Sequence, residues 1–231
     1  MKANPVFSLY IPTKLVFGCG EIKKLSSEKL PGKKALVVIS SGTSMRKYGY
    51  LERVLAQLRL NNVETLVYDK ILPNPIKEHV MEAAAICREE KCDFVVGLGG
   101  GSSIDSAKSI AVMACNDGDY WDYVSGGSGK GRPVTKALPI IAIPTTAGTG
   151  TEMDPFAVIS DLTRNGSMDS DYPRNGSRKD RLRLSADFPY LIYCRPGTDG
   201  FHSSAPHRLS RVRCILPCRR GFYRQLCNTH Q

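Results

Sequence analysis

The stretch Asp93-Phe-Val-Val-Gly-Leu-Gly-Gly-Gly-Ser-Ser-Ile-Asp-Ser-Ala-Lys108 decides the fold of this chain. Phe94 to Leu98 is an apolar run short enough for a buried strand. Gly99, Gly100 and Gly101 follow and lack the Cβ that holds another backbone or a ligand away. Ser102 then opens a helical pattern with Ala107, Ile110, Ala111 and Ala114 on one face. A strand, a glycine turn and a helix N-terminus gather backbone N–H groups at the positive end of a helix dipole, an arrangement that suits phosphate. The same residues also fit a purely structural account. The glycines would then allow close packing, and Ser102-x-x-Asp105 would form a capping box.

On either side of this stretch, strand and helix patterns alternate. Lys33-Lys34 leads into the buried run Ala35–Ile39, and Ser40-Ser-Gly-Thr-Ser44 is its exit turn. Leu51, Val54, Leu55 and Leu58 recur at helical spacing. Glu64 to Tyr68 is a strand, and Leu72-Pro-Asn-Pro75 is a turn stiffened by its prolines. Ile76, Val80, Ala83, Ala84 and Cys87 give the next helix its apolar face. Leu138 to Ile143 is a fourth buried strand, followed by Pro144-Thr-Thr-Ala-Gly-Thr-Gly-Thr-Glu152 and a short strand at Ala157–Ile159. Toward the N-terminus, Phe7 to Gly20 reads as a strand or hairpin and Glu21 to Leu30 as a short helix. The expected fold is α/β: a Rossmann-like parallel sheet with flanking helices. Ligands in such sheets lie beyond the carboxyl ends of the strands. That places four small or polar turns, at 40–44, 72–75, 99–102 and 144–149, along one edge.

The net charge of +10 raises the question of nucleic acid, and its distribution argues against it. Residues 1–161 hold 19 Lys and Arg against 17 Asp and Glu, whereas residues 162–231 hold 13 against 5. In that second segment arginine replaces lysine and glutamate is absent. Its aromatics lack regular spacing with the arginines, and it carries no recognition motif. No nucleic-acid partner is expected. Nor is a membrane, since no run approaches the ~18 apolar residues of a span, and the first residues do not form a signal peptide. Cytoplasmic localisation is the expectation, with the eight cysteines reduced. Cys19, Cys87 and Cys115 read as core residues, and His79 as solvated. The loop aspartates Asp117, Asp119 and Asp122 lack calcium-loop spacing.

Four motifs then occur in order: Pro12-Thr13 with Phe17-Gly-Cys-Gly20, Pro73-Asn-Pro75, Gly99-Gly-Gly-Ser-Ser-Ile-Asp105 with Ala107-Lys108, and Pro144 to Glu152. Together they closely resemble the iron-containing (group III) alcohol dehydrogenases, over about residues 6–161. The resemblance implies an NAD(P)-binding α/β domain followed by a helical domain that holds Fe²⁺, or sometimes Zn²⁺, on one Asp and three His. It also implies hydride transfer between a nicotinamide cofactor and a small-molecule alcohol or aldehyde, and a homodimer. Carried over position by position, Gly99, Gly100, Gly101 and Ser102 would hold the pyrophosphate. Asp105 and Lys108 would support the loop or close the cleft. Thr145, Thr146 and Thr149 would meet the cofactor from the opposite wall, with Asn74 near the adenine. The turn containing Gly42, Thr43 and Ser44 would face the ribose. Members preferring NAD(H) carry an Asp in that turn. Here Gly42 stands at about its position, with Arg46 and Lys47 nearby, similar to the NADP(H)-using butanol dehydrogenase type. NADP(H) is therefore favoured over NAD(H).

The resemblance ends near Asp161. His202, His207 and His230 have no Asp four residues before them, and Cys214-x-x-x-Cys218 has no second pair. No metal ligand is assigned. The expected division is an NAD(P)-binding domain at 1–161 and an irregular, poorly ordered basic tail at 162–231 that reads as out-of-frame translation. Such a chain would be inactive itself. The alternative to an enzyme is a non-catalytic nucleotide-binding fragment.

Overall fold

A computed structural model describes residues 13–124, 131–161, 178–183 and 190–194, the last two segments as backbone alone. Eight strands lie among them: β1 (Lys14–Phe17), β2 (Lys34–Ser40), β3 (Glu64–Ile71), β4 (Phe94–Gly99), β5 (Ile140–Pro144), β6 (Phe156–Asp161), β7 (Arg178–Arg183) and β8 (Tyr190–Cys194). The α-helices are α1 (Ser44–Lys47), α2 (Tyr50–Leu60), α3 (Lys77–Glu89) and α4 (Gly101–Met113). Six strands form one sheet in the order β1-β8-β5-β4-β2-β3, and every neighbouring pair is parallel. The Rossmann-like parallel sheet with flanking helices is thus the observed architecture.

Burial on both faces explains why the central strands read as continuous apolar runs. Ala35, Val37 and Ile39 of β2, with Phe94, Val96 and Leu98 of β4, pack toward Met45, Leu51, Val54 and Leu58. Leu36, Val38 and Val95 face the opposite way, against Val80, Ala84, Ala107 and Ile110 of α3 and α4. Gly97 lets α4 lie close to the sheet. A Cβ there would fall 2.9 Å from the Ala107 methyl and 3.1 Å from the Ile104 Cα.

Differences from the sequence reading concentrate at the periphery. The Glu21–Leu30 helix is a 3₁₀ helix over Glu21–Ser26. Cys19 is exposed in the turn after β1, since Gly18 and Gly20 carry the chain there with positive φ. His79 is half-buried with its Nδ1 inaccessible, rather than solvated. The most consequential difference concerns the basic tail. Two of its segments are strands: β7 pairs antiparallel with β6, and β8 lies between β5 and β1. Tyr-Leu-Ile-Tyr-Cys at 190–194 is a run of strand formers, concealed in the sequence by the punctuation around it. The expectations for 162–177, 184–189 and 195–231 lie outside the described residues, as does the part of the N-terminal hairpin before Thr13.

Candidate functional site

Because the sheet is parallel, the exit turns of β2, β3, β4 and β5 share one edge, and hydrogen bonds tie them together. The Thr145 amide donates to the Gly99 carbonyl at 2.9 Å, and the Ser41 amide to the Ile71 carbonyl at 2.8 Å. The Ser102 hydroxyl donates to the Pro73 carbonyl. The Ser160 amide reaches the Pro75 carbonyl at 2.7 Å, bringing the β6–β7 hairpin alongside.

The turn between β4 and α4 has the properties that phosphate requires. Gly99 sits at φ +144°, which favours glycine, and Gly100 is the extended N-cap of α4. The Gly100 carbonyl accepts the Ser103 and Ile104 amides. The amides of Gly101 and Ser102, ahead of them at the first two helical positions, have no intrahelical acceptor. Two such donors at the positive end of a 13-residue helix suit a diphosphate, so these residues fit a dinucleotide. α4 has no side-chain cap bond, and the capping-box account of Ser102 and Asp105 does not hold. The Ser102 hydroxyl spends its only proton on Pro73, so toward a phosphate it presents lone pairs. Its backbone N–H is the group that can bind. The threonine loop lies against the turn. A Cβ on Gly100 would fall 3.2 Å from the Thr146 Oγ1, and one on Gly101 would fall 2.9 Å from the Thr149 methyl. The glycines that expose the amides at the head of α4 are thus also the ones that admit the threonine loop.

Beneath the turn, Asp105 and Lys108 face the protein. Lys108 is 2 % exposed. Its Nζ donates to the Thr151 hydroxyl at 2.8 Å, the Asp154 carbonyl at 2.9 Å and carboxylate at 3.1 Å, and the Phe156 carbonyl at 2.7 Å. Asp105 accepts from the Thr151 hydroxyl and from the Val158 amide at 3.1 Å. Burial pushes the Asp105 carboxyl up, against the Thr151 hydrogen bond that favours its charge, and burial pulls the Lys108 amine down against Asp154 and Asp105. Neither is a surface residue. Together they fix α4 to the segment after the threonine loop. Thr151 and Asp154 share this role, and only the proximity of Asp154 to the threonine motif hinted at it in the sequence.

The other sequence-predicted positions line the same edge. Asn74 is exposed between its prolines, and Gly42 and Thr43 are exposed in the β2 exit turn, with Ser44 half-buried at the start of α1. A Cβ on Gly42 would meet only the Ser40 Oγ, at 3.9 Å, so that turn has room. Arg46, however, is engaged by the Asp69 carboxylate at 2.7 Å, a partner the sequence reading did not identify. Among the described residues, no group of three His, Cys, Asp or Glu is placed to hold a metal ion. His202, His207 and His230, with Cys214 and Cys218, lie outside them.

A family model for iron-containing alcohol dehydrogenases matches residues 12–174. The chain belongs to that family. The match runs past Asp161, where the sequence motifs stop. NADH-dependent butanol dehydrogenase A of Clostridium acetobutylicum is 41% identical over 160 residues, covering 69% of this chain and 40% of that protein. Alcohol dehydrogenase 4 of Schizosaccharomyces pombe is 38% identical, covering 72% of this chain and 39% of its own length. The crystal structure of NADH-dependent butanol dehydrogenase A from Thermotoga maritima superposes with a TM-score of 0.71 at 33% identity, over 83% of this chain and 44% of that one. The chain thus spans about 40% of the length of these curated relatives. No helix among the described residues is long and apolar enough to cross a membrane.

Proposed function

We propose that this chain carries the nicotinamide-dinucleotide-binding half of a cytoplasmic dehydrogenase that moves hydride between NAD(P)H and a small alcohol or aldehyde. The observation that carries this reading is the pair of unpartnered amides, Gly101 and Ser102, at the head of α4, behind a glycine turn without side chains. They would hold the pyrophosphate. Asn74 would border the adenine, Gly42, Thr43 and Ser44 the ribose, and Thr145, Thr146 and Thr149 the opposite wall. The bound nicotinamide supplies the hydride chemistry, and the protein supplies orientation and exclusion of water. The β2 exit turn has no carboxylate to repel a 2′-phosphate, which supports NADP(H). The named butanol dehydrogenases are NADH-dependent, and Arg46 is already paired, both of which support NAD(H).

The described residues do not form a metal site, so no step is assigned to a metal. With the tail read as out of frame, this polypeptide binds cofactor without turnover. Fluorescence titration of the full chain with NADH and NADPH tests the binding, and saturable quenching or enhancement is expected. Oxidation of NADH or NADPH by butyraldehyde with added Fe²⁺ or Zn²⁺ tests the second point. Sustained turnover there would reject the non-catalytic reading and leave the dinucleotide site intact.

A further inference from the structure

In a doubly wound sheet, the ribose of a dinucleotide is met at the exit turn of the strand adjacent to the one bearing the glycine turn, by a carboxylate for a free 2′-hydroxyl or by an arginine for a 2′-phosphate. Here β4 bears the glycine turn, and its neighbour away from β5 is β2. The exit turn of β2 contains no carboxylate, but the next strand brings one. Val38 faces Tyr68 and Ser40 faces Ile71, so Asp69 and Lys70 stand opposite Ile39 alone. Tyr68, Asp69 and Lys70 keep the ordinary alternation of a strand, and the β-bulge turns Ile71 back to the face of Tyr68. Tyr68 and Ile71 both join the core on the α3–α4 side, and Lys70 pairs with Glu82 of α3. Asp69 turns the other way and pairs with Arg46 of α1, two residues beyond the ribose turn, at 2.7 Å.

Granted a dinucleotide on the glycine turn, as proposed above, we infer that Asp69 is a specificity-determining residue that favours NAD(H) by occupying Arg46 and placing negative charge beside the ribose 2′ position. Arg46, the arginine that follows that turn in sequence, is thereby withheld from a 2′-phosphate. The carboxylate does from β3 what a carboxylate within the turn would do. Lys47 remains nearby, with its amine 5.8 Å from the Tyr48 ring centroid. As an exposed ion pair the contact adds little stability, so its removal is tolerable to the fold. Its effect on a neighbouring dianion is larger, since one carboxylate beside a phosphate changes affinity by roughly tenfold in a half-solvated setting.

The test measures dissociation constants of NADH and NADPH for the full chain by fluorescence titration, in the parent, Asp69→Asn and Arg46→Gln. Asp69→Asn frees Arg46 and should tighten NADPH about tenfold while NADH stays within about twofold. Arg46→Gln leaves Asp69 uncompensated and should weaken NADPH several-fold, again sparing NADH. Thermal melts of both variants establish that they are folded, and either one suffices if the other is not. An unchanged NADPH-to-NADH ratio in a folded, cofactor-binding variant overturns the inference while the dinucleotide site stands. A folded parent that binds neither cofactor overturns both.

Discussion

Lys108 and Thr151 meet at 2.8 Å with both side chains buried, joining the middle of α4 to the segment that follows the threonine loop. Lys108 satisfies its ammonium on three further acceptors of that segment, and Asp105 accepts from the same Thr151 hydroxyl. A buried ammonium is tolerated only when its donors are satisfied, so the clamp and the loop conformation depend on each other.

Replacing Lys108 by Met would leave the half-buried Asp105 without the positive charge that favours its ionised form, and Thr151 without its donor. Loss of one partner from a buried ion pair costs about 3–5 kcal/mol. Asp154 is partly solvated, so we expect a loss of about 2–3 kcal/mol. Urea unfolding measures it, and a loss below about 0.5 kcal/mol would mean that the clamp does not hold the loop.

Gly101→Ala should be destabilising and should weaken dinucleotide binding, because the new Cβ falls 2.9 Å from the Thr149 methyl. Overpacking of this kind costs about 1–3 kcal/mol. Adding Thr149→Ser removes the obstructing methyl and should restore stability. It should not restore binding, since the new Cβ still stands over the amides. Equal rescue of melting temperature and cofactor affinity would show that the glycine serves packing alone.

Ser102→Ala removes the hydroxyl that donates to Pro73 and leaves the backbone N–H in place. A stability loss of about 1 kcal/mol is expected, with cofactor affinity reduced by no more than about fivefold, the same free energy expressed as a ratio. A loss of two orders of magnitude in affinity, measured by titration, would instead assign the phosphate contact to the hydroxyl.

The pH dependence of Asp105 has a definite sign. Burial raises its pKa in the folded chain above the ordinary 3.8, so between the two values the folded state holds more protons than the unfolded one. Stability from this group therefore falls as pH rises through that window. Lys108 acts oppositely at high pH: its lowered pKa means the folded state sheds a proton first, and stability rises toward the ordinary 10.5. Against Asp105→Asn, the parent should lose relative stability from about pH 4 upward. Urea melts at several pH values that show the parent gaining there would refute the assignment.

The sheet was legible in the sequence wherever burial on both faces produced unbroken apolar runs, as at Ala35–Ile39 and Phe94–Leu98. The glycine turn was legible because Gly99 to Gly101 allow only a few physical uses. What escaped was set by contacts distant in sequence. The partners of Lys108 lie 43 to 48 residues away, and nothing in Asp105-x-x-Lys108 shows that both side chains point inward. Asp69 escaped because Asp69-Lys70 reads as ordinary polar surface. Strand alternation sends the two side chains to opposite faces, but only the folded chain shows that one meets Arg46 and the other Glu82. β8 was missed because its five residues are embedded in a segment whose composition suggested no structure.

The insertion of β8 between β5 and β1 means that the N-terminal strand has no direct hold on the strands that immediately follow it. Lys14 is aligned with Leu191, and Ile140 with Tyr190. During synthesis the Val-rich centre of the sheet can assemble by itself. β5, however, presents an unpaired edge until nearly two hundred residues have been made, and pairing across such separation is slow. An open parallel edge of Ile-Ile-Ala-Ile invites strands from other chains. A shortened chain that stops before Tyr190 should therefore be produced in aggregated form, even though its glycine and threonine turns are complete.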